Sequence, residues 1–123
     1  MATSQARHGI PSDDALEIVA ARFRVLSDAT RLRLLRELMD GELAVQDLVT
    51  RTDLPQPTVS KQLAVLRSAG IVGRRPQGTQ VFYRLTDESV LQLCEIVCHG
   101  LERRLAGHLE ALARPPGRRP ARR

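Results

Sequence analysis

At 123 residues, 42% of them hydrophobic, the chain has enough apolar material for one compact domain and too little for two independent cores. No run approaches the ~18 uncharged apolar residues of a bilayer span, and the opening Met1-Ala2-Thr3-Ser4-Gln5-Ala6-Arg7 lacks the apolar centre of a signal peptide, so a soluble cytoplasmic protein without a membrane partner is expected. The formal net charge of +5 points toward nucleic acid, but with only Phe23, Phe82 and Tyr83 aromatic the stacking platforms of single-stranded RNA readers are excluded.

Residues 1–11 are small and polar, and the last ten residues hold five arginines and three prolines; both ends read as disordered segments flanking one domain over 12–113. Ser12 caps a first helix with Asp13, Asp14 and Glu17 near its start, and Leu16, Val19, Phe23 and Leu26 recur at helical spacing. Ile18, Ala21 and Val25 add a second apolar strip, so this helix is expected to be covered on two sides. Asp28 caps a second helix with Leu32, Leu35, Leu38 and Met39 inward and Arg31, Arg33, Arg36, Glu37 and Asp40 outward, ended by Gly41. A short third helix over 44–51 turns Val45, Leu48 and Val49 inward. The fourth opens at Gln56 with Pro57 in its first turn, where a missing N–H is harmless. Val59, Leu63 and Leu66 fall within about 40° of one another and must face the core. After Gly70 the period changes to that of two strands, 71–75 and 79–85, joined through Pro76-Gln77-Gly78. A final helix from Asp87 to about Ala113 is apolar over so wide a band that it needs cover from its own domain and from a partner copy.

The order is that of a mainly α winged helix-turn-helix with a small β-hairpin wing. Residues 54–86 contain no acid and five bases, Lys61, Arg67, Arg74, Arg75 and Arg84, whereas residues 1–53 carry nine acids against seven bases. A helix of about 12 Å diameter fits the major groove of double-stranded DNA, and an acid-free face does not repel phosphate. Lys61, Arg67, Arg74 and Arg75 are the expected phosphate contacts, Gln56, Thr58 and Ser60 the expected base contacts, and Gly78 with Thr79 forms the wing tip where backbone approaches the duplex. The rival reading is a winged-helix module that binds protein, its basic wing a solvated edge.

The segments Leu26-Ser27-Asp28-Ala29-Thr30-Arg31-Leu32-Arg33-Leu34-Leu35, Gly41-Glu42-Leu43-Ala44-Val45-Gln46-Asp47-Leu48, Val59-Ser60-Lys61-Gln62-Leu63-Ala64-Val65-Leu66, Ala69-Gly70-Ile71-Val72 and Gly78-Thr79-Gln80-Val81-Phe82-Tyr83-Arg84-Leu85 resemble the ArsR/SmtB family of bacterial repressors. The resemblance spans about residues 15–100. It implies a homodimer paired through the first and last helices that holds a palindromic operator until an inducer releases it, with Gln56, Ser60 and Lys61 at positions that touch DNA. Pro57 stands where serine is frequent. The family's metal sites do not carry over: Ala44-Val45-Gln46 replaces a Cys-Val-Cys motif, and the positions of the last-helix Asp-x-His and His-x-x-Glu site read Asp87, Ser89, Gly100 and Arg103, which keeps only its aspartate. The paired-cysteine redox arrangement is missing as well, because Arg36 occupies the second-helix position.

Cys94, Cys98 and His99 are left as sensing candidates. Thiols at i and i+4 share a helix face and suit one soft metal ion, an arsenical or thiol-redox chemistry. Equally, both continue the stripe Leu91, Leu101, Leu105 and fit as small buried hydrophobes. Two cysteines so spaced form no disulfide framework and indicate a reducing compartment. His8 and His108 read as surface residues. No catalytic motif is present, so no enzyme is expected.

Overall fold

A computed structural model describes residues 12–113; the two expected disordered ends and His8 lie outside the described residues. The chain divides after Asp87 into two compact units. In the first, helix α1 (Asp13–Leu26) begins where the Ser12 hydroxyl accepts the Ala15 N–H at 3.1 Å, with Asp13 and Asp14 in the first turn at the positive end of the helix dipole. The Asp28 carboxylate does the same for α2 (Ala29–Leu38), accepting the Arg31 N–H at 3.0 Å. Helix α3 (Val45–Thr52) has no polar cap residue. Instead the Asp47 carboxylate reaches back to the Ala44 N–H at 3.2 Å. Asp53, at φ 59°, turns the chain out of α3 toward α4 (Gln56–Ser68). Pro57 lies in the first turn of α4, as its sequence position requires.

The sheet has three antiparallel strands in the order β1 (Leu43–Ala44), β3 (Gln80–Leu85), β2 (Val72–Gln77). Strand β1 is an addition to the expected hairpin: Leu43 pairs with Tyr83 and Ala44 with Phe82. The turn also differs from expectation. Pro76 lies within β2 opposite Val81, and Gln77 pairs with Gln80, so the connection is the two residues Gly78-Thr79. Proline is tolerated there because β2 is an edge strand. Gly78 takes φ 64° while Thr79 does not have positive φ, the combination of a type II′ hairpin turn.

The core of this unit is closed: Leu34, Leu35, Leu38, Leu48, Val59, Leu63, Leu66 and Ile71 are fully buried. Leu32 corrects one expectation. It is 40% exposed, and Leu34 takes the inward place. A series of three-residue steps rotates by about 60° per step, so Leu32 falls roughly 110° from the centre of the buried stripe that Leu34, Leu35 and Leu38 define. Helix α1 contributes only Leu26 to the buried residues; Leu16, Ile18, Val19 and Phe23 are exposed, so the cover expected on two sides is not supplied by its own unit.

Three arginines hold the helices together, and two of them, Arg31 and Arg33, are expected from the sequence on the outward charged face of α2. Arg31 donates through Nε to the Val25 carbonyl at 2.6 Å and through Nη1 to the Gln62 side-chain oxygen at 2.8 Å, joining α2, α1 and α4. Arg33 caps the carboxyl end of α3 at the Thr52 carbonyl, 2.6 Å away, and Arg22 reaches the Ala69 carbonyl just past α4 at 2.7 Å. Carbonyls at helix ends lack intrahelical partners and carry partial negative charge, which a guanidinium satisfies directly.

The second unit is a single helix, α5 (Glu88–Ala113). Val90 is buried, whereas Ile96, Val97, Leu101, Leu105 and Leu109 are exposed large hydrophobic residues. Among the described residues no helix is long and apolar enough to cross a membrane.

Candidate nucleic-acid interface

Helix α4 buries Val59, Leu63 and Leu66 completely, and that anchoring decides where its other side chains point. Gln56, Ser60, Ala64 and Arg67 recur at spacings of four, four and three residues and so form one stripe. They line one side of a groove of about 660 Å³, whose other wall is the wing: Arg74, Thr79, Gln80, Val81 and Tyr83. The floor comes from Ala44, Val45 and Gln46 at the start of α3. No carboxylate lines it. Among the described residues no ion pair or hydrogen bond engages the side chains of Arg67, Arg74 or Lys61, so their donors face outward without a partner.

The sequence-predicted contacts separate into groups. Gln56, Ser60, Arg67, Arg74 and Thr79 are brought together around the groove. Lys61 is exposed on the adjoining side of α4, beside Val65, Ser68 and Val25. Thr58 stands about 160° round the helix from Ser60 and is half-buried, so the two do not share a face. Gly78 sits at the tip of the wing.

Arg74 and Arg75 differ most. Neighbouring residues of a strand point to opposite faces of the sheet. Arg74 therefore lines the groove, and Arg75 lies on the other face. There its Nε and Nη2 donate to the two Glu42 carboxylate oxygens at 2.9 and 2.7 Å, its Nη1 donates to the Gln77 side-chain oxygen, and its guanidinium sits 5.0 Å from the centre of the Phe82 ring. The Arg75 hydrogen bonds hold the Glu42 carboxyl below its ordinary pKa. The bidentate pairing was not read from sequence, because Glu42 and Arg75 are far apart along the chain and only the placement of β1 next to β3 brings them together.

An acid-free groove between a core-anchored second helix of a helix-turn-helix and a basic wing is the arrangement of a winged-helix regulator. The model of the bacterial regulatory protein arsR family matches residues 28–73, which run from the cap of α2 to the second residue of β2. The HTH-type transcriptional regulator KmtR of Mycobacterium tuberculosis is 40% identical over 111 residues, 83% of this chain and 85% of that protein. The chain belongs to the ArsR family. Two solved structures agree with this ArsR-family assignment. The antimony-specific transcriptional repressor AntR superposes with a TM-score of 0.74 at 31% identity, covering 86% of this chain and 96% of that one. The homodimeric winged helix-turn-helix DNA-binding domain Mb0332 of Mycobacterium bovis gives 0.70 at 34% identity, over 79% and 93%.

In this ArsR-family chain the sensing candidates occupy the middle of α5. Cys94 is half-buried, and Cys98 and His99 are exposed. Burial, and after it the neighbouring Cys98, push the Cys94 thiol above its ordinary pKa. That is the reverse of the shift that creates a reactive thiolate. Among the described residues no group of three or more His, Cys, Asp or Glu side chains is placed to hold a metal ion. One chain offers two soft donors there and not a complete ion site.

Proposed function

We propose that this regulator is a transcriptional repressor that acts on double-stranded DNA in the cytoplasm as a homodimer, with residues 12–113 as the DNA-binding and dimerisation domain. Each copy lays α4 in the major groove of a palindromic operator, with the two reading helices about 34 Å apart, and rests its wing on the adjoining backbone. Lys61, Arg67 and Arg74 neutralise phosphates and fix the register; Gln56 and Ser60 offer donors and acceptors to base edges; Gly78 and Thr79 let the wing tip come close. Thr58 is left a lesser part, at the margin of the interface. The carrying observation is the carboxylate-free groove with two unpaired arginines on its walls. A protein-binding module has no need of that charge pattern.

Pairing of two copies through α1 and α5 is supported by the large apolar side chains that one chain leaves exposed on these two helices, Phe23 and Leu101 at about half exposure among them. Release by an inducer then needs only a change in how the two copies are held, and a coupling of ~1–3 kcal/mol weakens operator binding about 5- to 150-fold. Cys94, Cys98 and His99 enter this reading as the place where a soft metal, arsenical or thiol oxidant would act across two copies. No resident ion is required.

The test is fluorescence anisotropy with the duplex upstream of the protein's own gene, across a salt series. Lys61→Ala weakens binding to every sequence and reduces the salt slope by about one counterion, whereas Gln56→Ala changes which sequence is preferred. Wild-type protein that binds no duplex at low salt overturns the reading.

A further inference from the structure

We propose that Glu42 sets the affinity of the DNA interface: its carboxylate occupies Arg75 and withholds one wing cation from the phosphate backbone. This rests on the DNA-binding reading above. The fork-to-fork contact at 2.7 and 2.9 Å uses both carboxylate oxygens, and with Gln77 it engages all three guanidinium nitrogens. A planar guanidinium bound this way presents a neutral pair to its surroundings, so no counterion is released when phosphate approaches it.

The placement decides which cation is withheld. The register pairs Arg75 with Phe82 on β3, and Arg84 lies two residues along the same strand, so Phe82, Arg75 and Arg84 share the face turned away from the groove. Without Glu42 that face would carry two unbalanced cations beside the wing tip. The wing would then attract phosphate on both faces. With Glu42 present, one of those two cations is neutralised and Arg84 alone is left on that face, while Arg74, next to Arg67 of α4, carries the wing's free charge on the groove side. One acid at the turn before β1 thus halves the free charge on the far face of the wing and lowers its total attraction for phosphate.

Both side chains are partly open to solvent, 45% for Arg75 and 29% for Glu42, and neither belongs to the buried core, so substitution leaves the fold in place. The experiment uses the whole chain, a fluorescein-labelled duplex of random sequence and a salt series. Glu42→Gln steepens the dependence of log K on log salt by about 0.9 and tightens binding roughly 5- to 10-fold near 0.1 M salt. Adding Arg75→Gln to that variant returns both slope and affinity to the wild-type values. Glu42→Asp, which keeps the charge and shifts it by one methylene, retains the wild-type slope. If Glu42→Gln weakens binding or leaves the slope unchanged while the wild type binds normally, the pair only braces the wing and the proposal fails. A wild type that binds no duplex overturns the DNA reading itself and is seen before any variant is compared.

Discussion

Helices α4 and α5 both carry apolar side chains at helical spacing, and they end in opposite conditions. In α4 the stripe Val59, Leu63, Leu66 is fully buried and the remaining surface is small, polar and cationic. In α5 only Val90 is buried among the described residues, while Ile96, Val97, Leu101, Leu105 and Leu109 face outward. The first helix is finished within one chain, and what it exposes is available for recognition. The second exposes what water disfavours, which defines a surface to be covered. Apolar periodicity alone does not separate these cases; the width of the band does. A narrow stripe is satisfied by one neighbour, and a band running round the helix needs two.

Removing a finished contact has the largest effect. Leu63→Ala opens a cavity in the closed core and destabilises the winged unit by about 2–5 kcal/mol, read as a lower urea midpoint by circular dichroism. An unaltered midpoint would mean that the core is less complete than its burial indicates. Breaking the unfinished surface acts differently. Leu101→Glu puts a charge into the proposed contact between copies and raises the dimer dissociation constant at least about 30-fold in sedimentation equilibrium, with the circular dichroism spectrum unchanged. A variant that sediments like the wild type removes that part of α5 from the interface.

The smallest effect concerns the half-covered residue between these extremes. Because burial and Cys98 raise the Cys94 thiol pKa, Cys94 alkylates more slowly with iodoacetamide than exposed Cys98, as followed by mass spectrometry. The folded state holds the Cys94 proton more tightly than the unfolded chain. The associated stability is thus complete below the unfolded thiol value and is lost as pH rises through the folded one. Equal alkylation rates would place Cys94 in open water.

The sequence made α4 legible almost residue by residue, since proline in the first turn and three leucine-like residues on one side leave a single helical register. The hairpin was legible as two strands, but its turn was displaced because Pro76 looked like a connector. Strand β1 was hidden: two residues carry no periodicity, and Leu43-Ala44 becomes a strand only through Tyr83 and Phe82. The arginine struts were hidden for another reason. Arg31 and Arg33 sit on the polar side of an amphipathic helix, where solvated charge is the ordinary outcome, and their links to α4 and α3 form only when Gln62 and Thr52 arrive from distant segments. For the interface, the residue types were legible and their grouping was not. The opposite facing of Arg74 and Arg75 could have been read from strand alternation, whereas the capture of Arg75 by Glu42 needed the sheet order.

Arg22 and Arg31 together give α4 two points of attachment, one beyond its last turn and one at Gln62, and both lead back to α1. The first attachment is direct and the second runs through Arg31 of α2. A displacement of α1 therefore bears on the reading helix by two routes, as a crank turns with its shaft: at the Ala69 carbonyl and, through α2, at Gln62.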